Sequence, residues 1–323
     1  MWKSRNKFKN RFLKFEKINS TSGKVYKNFK PNNMTTIPAE QNIETTKKVL
    51  PIILATSIFM QMLDSTILNT SITSIARDLH ESPLEMQNAI ISYVLTLALF
   101  MPVSGFLSDK FGTRRIFIFA LFLFSIGSLL CALSQNLTHL VIARVVQGIG
   151  GSLMTPVGKL ALIRTFPKNE LLKAMNFAII PALIGPVLGP LVGGYMVDYL
   201  SWHWIFLINI PFGLIGIILS LKYMPDYKSP IIDFDLKGFL IFAAASLLLS
   251  ISLELFGNTV RVSPVLLILM GEFLMLYWYY RHAIIDNNPI FPLNLFKVRT
   301  FRVGIIGNLA TRWDLVPFRF YYP

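Results

Sequence analysis

The sequence predicts an all-α polytopic membrane protein, and three observations carry that prediction. Hydrophobic residues make up 53% of the 323, charged residues only 15%, and mean hydropathy is +0.54. A soluble chain of this length needs more charge to cover its surface. The apolar residues come in runs of about 18 or more, the length a helix needs to cross a bilayer, rather than in amphipathic stripes. Basic residues fall between alternate runs, the distribution that sets the orientation of a spanning chain. The net charge of +14 therefore does not mark a nucleic-acid surface. Of 31 Lys and Arg, 12 precede residue 49 and another 13 lie in alternate loops.

The chain opens on a basic, Asn-rich leader, residues 1–48, expected to be disordered and cytoplasmic. It holds no apolar segment of the kind a secretory signal needs. Three readings of its first 33 residues are open: a tail lying on anionic lipid through Trp2, Phe8, Phe12 and Phe15, an organelle transit peptide, or upstream sequence ahead of a start at Met34. The third is preferred. Eight full spans follow, near 49–73, 86–107, 115–134, 139–163, 172–198, 204–221, 237–256 and 264–280. The first six form a bundle over 49–222, the next two an inserted pair over 223–281. A ninth begins near 301, within a last segment, 282–323, that meets Arg312, Asp314, Pro317 and Arg319. Such residues inside a bilayer cost about 2.5–3.5 kcal/mol each for Asp or Arg, so the chain is expected to be cut short there. The loops with Lys110, Arg114 and Arg115, with Arg164, Lys168 and Lys173, with Lys222, Lys228 and Lys237, and with Arg281, Lys297, Arg299 and Arg302 lie on one side; the opposite loops offer only Arg77 and Arg261. The N-terminus and basic loops are thus expected in the cytoplasm.

Polar residues inside the spans are the functional candidates. The first span carries Asp64, Thr66 and Asn69; the fourth carries Arg144 and Gln147, at i and i+3 on one face. A lone charge at that depth is costly unless it faces a wet cavity or meets a partner. A carboxylate in such a place can take up and release protons. Glu254, Glu272 and Lys159 fall nearer span ends, where an interfacial role suffices. Cys131 has no partner for a disulfide, and His80, His139, His203 and His282 offer no pair with metal-ligand spacing. No metal or cofactor is expected.

Two further stretches stand out. "IGPVLGPLVGG" repeats Gly185, Gly189 and Gly193 every fourth residue, so they share a helix face that lets a neighbour come close, and Gly194 widens it. Pro186 and Pro190 remove intrahelical bonds and allow a bend. "GFLSDKFGTRR" is a tight turn in which Gly105 and Gly112 give room and Asp109 sits among Lys110, Arg114 and Arg115. It reads either as a charge clasp that opens and closes, or as a simple positive anchor.

At these residues the chain resembles the major facilitator superfamily, in its fourteen-helix drug:proton antiporter branch, from about residue 50 to 311. Gly105, Asp109, Gly112 and Arg114 match the loop motif after helix two, with Thr113 where a basic residue is usual. Arg144, Gln147, Gly148 and Gly150 match the helix-four motif. Gly185, Gly189, Pro190, Gly193 and Gly194 match the antiporter motif of helix five. Leu63, Asp64, Thr66 and Asn69 match the helix-one motif, with Ser71 for a usual alanine and Thr73 for a usual proline. "WHWIFLINIPFG" and "NPIFPLNLFKVRTFRVG" also resemble this branch. The resemblance implies two six-helix bundles working by alternating access, with two helices inserted between them. It implies proton coupling at Asp64 and Arg144, a substrate pathway past Thr66, Asn69 and Gln147, and a cytoplasmic gate at Asp109 and Arg114. The implied function is proton-driven export of lipophilic or cationic small molecules from an inner (plasma) membrane, without enzymatic activity. A periplasmic adaptor and outer-membrane channel would join it in a Gram-negative cell. A non-transporting fragment, or half of a split transporter, is the first alternative; a proton-coupled uptake symporter is the second.

Overall fold

A computed structural model of the protein describes residues 40–229, 233–258, 262–286 and 288–313. The leader up to residue 39 with Met34, Arg261, and the final residues with Asp314, Pro317 and Arg319 lie outside the described residues, as does the side chain of Glu254. Among the described residues the secondary structure is helical.

The first helix, α1, runs Glu40–Asp78. The expected leader boundary at 48 is thereby corrected: Glu44 and Lys48 pair at i,i+4, and Lys47 reaches Glu170 at 2.9 Å, so charged residues prolong the helix past its apolar part. The expected second span is two helices, α2 Gln87–Phe100 and α3 Val103–Phe111, bent by 57°. Pro102 lies in the break; it lacks an N–H and its ring clashes with the preceding turn. Gly112, at φ +102°, turns the chain into α4, Thr113–Ala132. A side chain there would collide with Asp226. α5, Leu137–Thr165, starts on an Asn136 cap that accepts from the His139 N–H at 2.8 Å. α6, Lys168–Tyr199, runs through Pro181, Pro186 and Pro190 without a break. The sixth span is a short α7, His203–Leu207, leading into α8, Asn209–Tyr223. Two further helices, α9, Leu236–Asn258, and α10, Val262–Ile285, start within the segment 223–281; α11, Arg299–Trp313, follows a 3-10 turn.

Two apolar clusters build the bundle. One, toward the basic loops, gathers Leu50, Leu54, Phe117, Phe124, Leu153 and Val157; the other gathers Leu63, Ile67, Cys131, Leu140, Ile205 and Phe206. α4 and α5 close tightly on glycine: a methyl group at Gly127 would lie 2.5 Å from the Gln147 Cα, and one at Gly150 would strike the Phe124 backbone. Outside, large apolar side chains such as Leu183, Val187 and Leu191 of α6 stand exposed, as they do where lipid is the solvent. Phe100–Phe239 and Phe106–Phe234 ring contacts seat α9 and the residues just before it against α2 and α3.

Candidate functional site

Where the two apolar clusters meet, four helices turn five residues into a polar knot. Asp64 comes from α1, Ser128 from α4, Arg144 and Gln147 from α5, and Asn209 from α8. Arg144 Nη1 donates to Asp64 Oδ2 and to Gln147 Oε1, both at 2.7 Å. Gln147 Nε2 and Asn209 Nδ2 donate to Asp64 Oδ1 at 2.8 and 3.0 Å. Asn209 also donates to Ser128 Oγ at 2.9 Å, and Ser128 donates to the Phe206 carbonyl at 2.8 Å. Arg144 Nε reaches the Ala89 carbonyl of α2 at 3.3 Å, and its guanidinium carbon lies 4.0 Å from the centre of the Tyr93 ring. Cys131 Sγ lies 3.6 Å from Gln147 Oε1 as a weak donor.

The side chains of Arg144 and Asp64 are 1% and 0% exposed. Of the two environments that make a deep charge tolerable, the structure therefore has the partner rather than the wet cavity. The carboxylate accepts three hydrogen bonds and the guanidinium gains a π face besides its anion, which is how a buried ion pair offsets desolvation.

The expected pathway residues separate. Gln147 belongs to the knot. Thr66 lies on α1 against α6, where a methyl group at Gly189 would run into its Oγ1. Asn69 is exposed and away from Asp64: five residues along an α-helix is about 140° round its axis. Along α6, Gly185 faces Met62 and Leu63, and Gly193 faces Thr70 and Ile67. Gly194 does not widen this face; nothing lies within 4 Å of where its Cβ would be.

In the last turn of α3 and the turn that follows, the charges find partners distant in sequence. Asp109 pairs with none of its sequence neighbours but with Arg164 at the end of α5, 2.7 Å away. Arg114 meets Asp226 through its backbone N–H, at 3.2 Å, and Arg115 reaches the same carboxylate at 3.7 Å. Thr113, buried, donates to the Pro225 carbonyl at 2.9 Å and accepts from the Tyr227 N–H at 3.0 Å. Ser229 accepts from Arg164 at 2.8 Å. The segment after α8 is thus stitched across the turn. Gly105 has open space around it.

Sequence reasoning missed Ser128 and Asn209, neutral residues in apolar runs with no charge to single them out, although Asn209 lies within the stretch "WHWIFLINIPFG". It also missed Gln61, which accepts from Thr155 at 2.9 Å, and the carboxylates around His282. His282 Nε2 lies 2.7 Å from Asp235 and 3.7 Å from Asp286. Asp235 also accepts the Gly238 N–H at 2.7 Å, so it caps α9 while tying it to α10.

A family model described as Major Facilitator Superfamily matches residues 54–310. The chain is 47% identical over 263 residues to the "Putative multidrug resistance protein MdtD" of Shigella flexneri serotype 5b, covering 80% of this chain and 55% of that protein. It is 46% identical over 263 residues to the protein of the same name from Escherichia coli O139:H28, with the same coverage. The chain therefore spans about half the length of the curated relatives it matches. A crystal structure of the peptide transporter POT in complex with sulfate superposes with a TM-score of 0.53 at 16% identity, over 73% of this chain and 52% of that one; at that identity the likeness concerns the fold alone.

Proposed function

The chain belongs to the Major Facilitator Superfamily, and from that premise we propose that it works in proton-coupled export of lipophilic or cationic small molecules. It sits in the inner (plasma) membrane with the basic loops and N-terminus in the cytoplasm, the side that the distribution of Lys and Arg favours. One observation carries the reading: a carboxylate and a guanidinium, each on a membrane-spanning helix, paired at 2.7 Å and sealed from solvent. Ionisable residues at that depth mark ion pathways. When Asp64 takes a proton its attraction for Arg144 falls, and the helices carrying them, α1 and α5, lose a reason to stay together. Proton binding then biases one arrangement of the bundle over another, as a coupled transporter requires.

Gln147 holds the pair in register. Thr66 and Asn69, on other sides of α1, serve the substrate, which passes outside the knot rather than through it. The Gly185–Gly189–Gly193 seam keeps α6 close to α1. Asp109 acts on the cytoplasmic side through Arg164, with Gly112 making the turn and Arg114 meeting Asp226. Alternating access rocks this bundle against a second one. In a Gram-negative envelope a periplasmic adaptor and outer-membrane channel would extend the route.

The energy suffices. One proton crossing about 100 mV supplies about 2.3 kcal/mol, enough for roughly a fortyfold gradient at 1.4 kcal/mol per decade. The test is efflux of a cationic dye from cells that lack their own exporters and express the chain. Export above the empty vector that collapses with a protonophore supports the proposal. Dye retention equal to the vector control favours the alternative, a membrane segment that does not transport by itself. Proton-driven uptake in place of export would turn the reading to a symporter.

A further inference from the structure

Asn209 is placed where no motif of charge or spacing announces it, and it holds an unsolved half. Its Nδ2 is engaged twice, by Asp64 Oδ1 at 3.0 Å and Ser128 Oγ at 2.9 Å. Its Oδ1 is buried and finds no hydrogen-bond partner among the described residues. A buried acceptor left so is uncommon and calls for a reason. The other amide in the knot is different. Gln147 Oε1 is held by Arg144 at 2.7 Å, so turning that amide would break a charge-assisted bond. Turning Asn209 would break nothing at its oxygen.

The chemistry of the carboxyl group makes this asymmetry useful. Ionised Asp64 is an acceptor only, and it needs the N–H groups it has. Protonated Asp64 gains an O–H that needs an acceptor. Arg144 has none to offer, and the Gln147 oxygen is occupied. Asn209 Oδ1 is the free acceptor at the right place, one half-turn of the side-chain amide away. Ser128, a hydroxyl whose hydrogen can rotate from the Phe206 carbonyl, can follow.

We propose that Asn209 is a positioning residue that serves both protonation states of Asp64: its amide nitrogen donates to the carboxylate, and on protonation the amide turns over so that its oxygen accepts from the acid. One O–H bond forms at Asp64 Oδ1 as one breaks in a hydronium on the water side, which is left as water; Arg144 keeps its proton and its charge. Release reverses the step. The amide thereby solvates a proton where no bulk water reaches. The inference rests on the proton-coupling reading of Asp64 and adds to it a residue that moves.

The experiment is infrared difference spectroscopy of the full chain in nanodiscs, titrated with acid, with asparagine labelled by carbon-13 at the side-chain carbonyl. The Asp64 acid band is identified by its loss in Asp64→Asn. In the parent chain a labelled amide band should shift together with that acid band, and the shift should be lost in Asn209→Val. The acid carbonyl band should move to higher frequency in Asn209→Val, where the acid lacks an acceptor. It should return toward the parent position in Asn209→Thr, a side chain of the same shape with a hydroxyl that both donates and accepts. Thr and Val share their volume, so a folding defect would touch both alike. An acid band that titrates with no change in the labelled amide would overturn the Asn209 proposal and leave Asp64 coupling intact. A titration with no Asp64-dependent band would overturn both.

Discussion

Two Asp–Arg pairs in this chain share a distance and little else. Asp64–Arg144 and Asp109–Arg164 are both 2.7 Å apart. The first joins α1 to α5 deep in the bundle, 1% exposed or less, with its further partners Gln147 and Asn209 drawn from α5 and α8. The second joins the last turn of α3 to the end of α5, with the arginine 24% and the aspartate 35% exposed. Geometry alone would rate them equal. Their surroundings make one a pair that neither partner can leave without stranding a charge, and the other a latch that water and salt can share. The proposed function has use for both: a site where one proton changes the stability of an arrangement, and a closure that opens cheaply.

The sharpest way to break the comparison is at the buried pair. Asp64→Asn removes the negative charge and leaves Arg144 enclosed. Breaking such a pair from one side costs about 3–5 kcal/mol, so the purified variant should unfold at clearly lower temperature in detergent, and proton-driven dye export should fall at least tenfold. The double variant Asp64→Leu/Arg144→Met separates the roles. Replacing both charges with apolar groups of similar size is often neutral or stabilising. Thermal stability should recover while export stays absent. Recovery of export by the double variant would show that the pair is architecture and not coupling.

A second perturbation tests whether α1 needs α6 beside it. Gly189→Val places a branched side chain against Thr66 Oγ1. Overpacking of this kind costs about 1–3 kcal/mol, and export should drop more than stability because the seam must hold while helices move. Gly194→Val, with open space around it, serves as the paired control and should match the parent in thermal unfolding.

The two pairs were also unequally legible in the sequence. Asp64, Arg144 and Gln147 stand out because charge in an apolar run has so few explanations, and i,i+3 spacing puts the latter two on one face. Ser128 and Asn209 carry no such mark: a single hydroxyl or amide in a spanning helix is ordinary, and Asn209 lies 145 residues from the carboxylate it binds. The turn between α3 and α4 misled for a related reason. Lys110, Arg114 and Arg115 are near Asp109 in sequence, but Gly112 redirects the chain between them, and the end of α5 brings Arg164 closer in space. Pro102 was visible, yet the apolar run continues through it, so the bend between α2 and α3 could not be read from hydropathy. The helices themselves were legible because a bilayer demands long apolar segments, and a segment of that length has few other folds.

Thr113 sharpens what holds the latch region. It stands where the family usually has a basic residue, and it is buried with its hydroxyl used twice, toward Pro225 and Tyr227. Thr113→Val keeps the shape and strips both bonds, leaving the Tyr227 N–H without its partner. A loss of about 1–3 kcal/mol in thermal or denaturant unfolding is expected. An Arg at this position would not fit the closed turn, and its introduction should loosen the 225–229 segment, read as faster amide exchange there.

The smallest effect belongs to the latch itself, and it is where the comparison is most exposed to failure. Asp109→Asn keeps shape and hydrogen bonding but deletes the charge facing Arg164. A pair this open contributes about 0–1 kcal/mol, and Arg164 retains Ser229 as a partner at 2.8 Å. Stability should therefore change by less than the measurement resolves, while the rate of dye export should change several-fold, because a latch is felt in the exchange between arrangements and not in either one. Raising ionic strength should move the parent toward the variant, since exposed charges are screened within about 8–10 Å near physiological salt. Asp64→Asn, by contrast, should be indifferent to salt. If the export defect of Asp109→Asn proved as independent of salt as that of Asp64→Asn, solvent access would not be what distinguishes the two pairs, and the division between a coupling site and a latch would have to be redrawn.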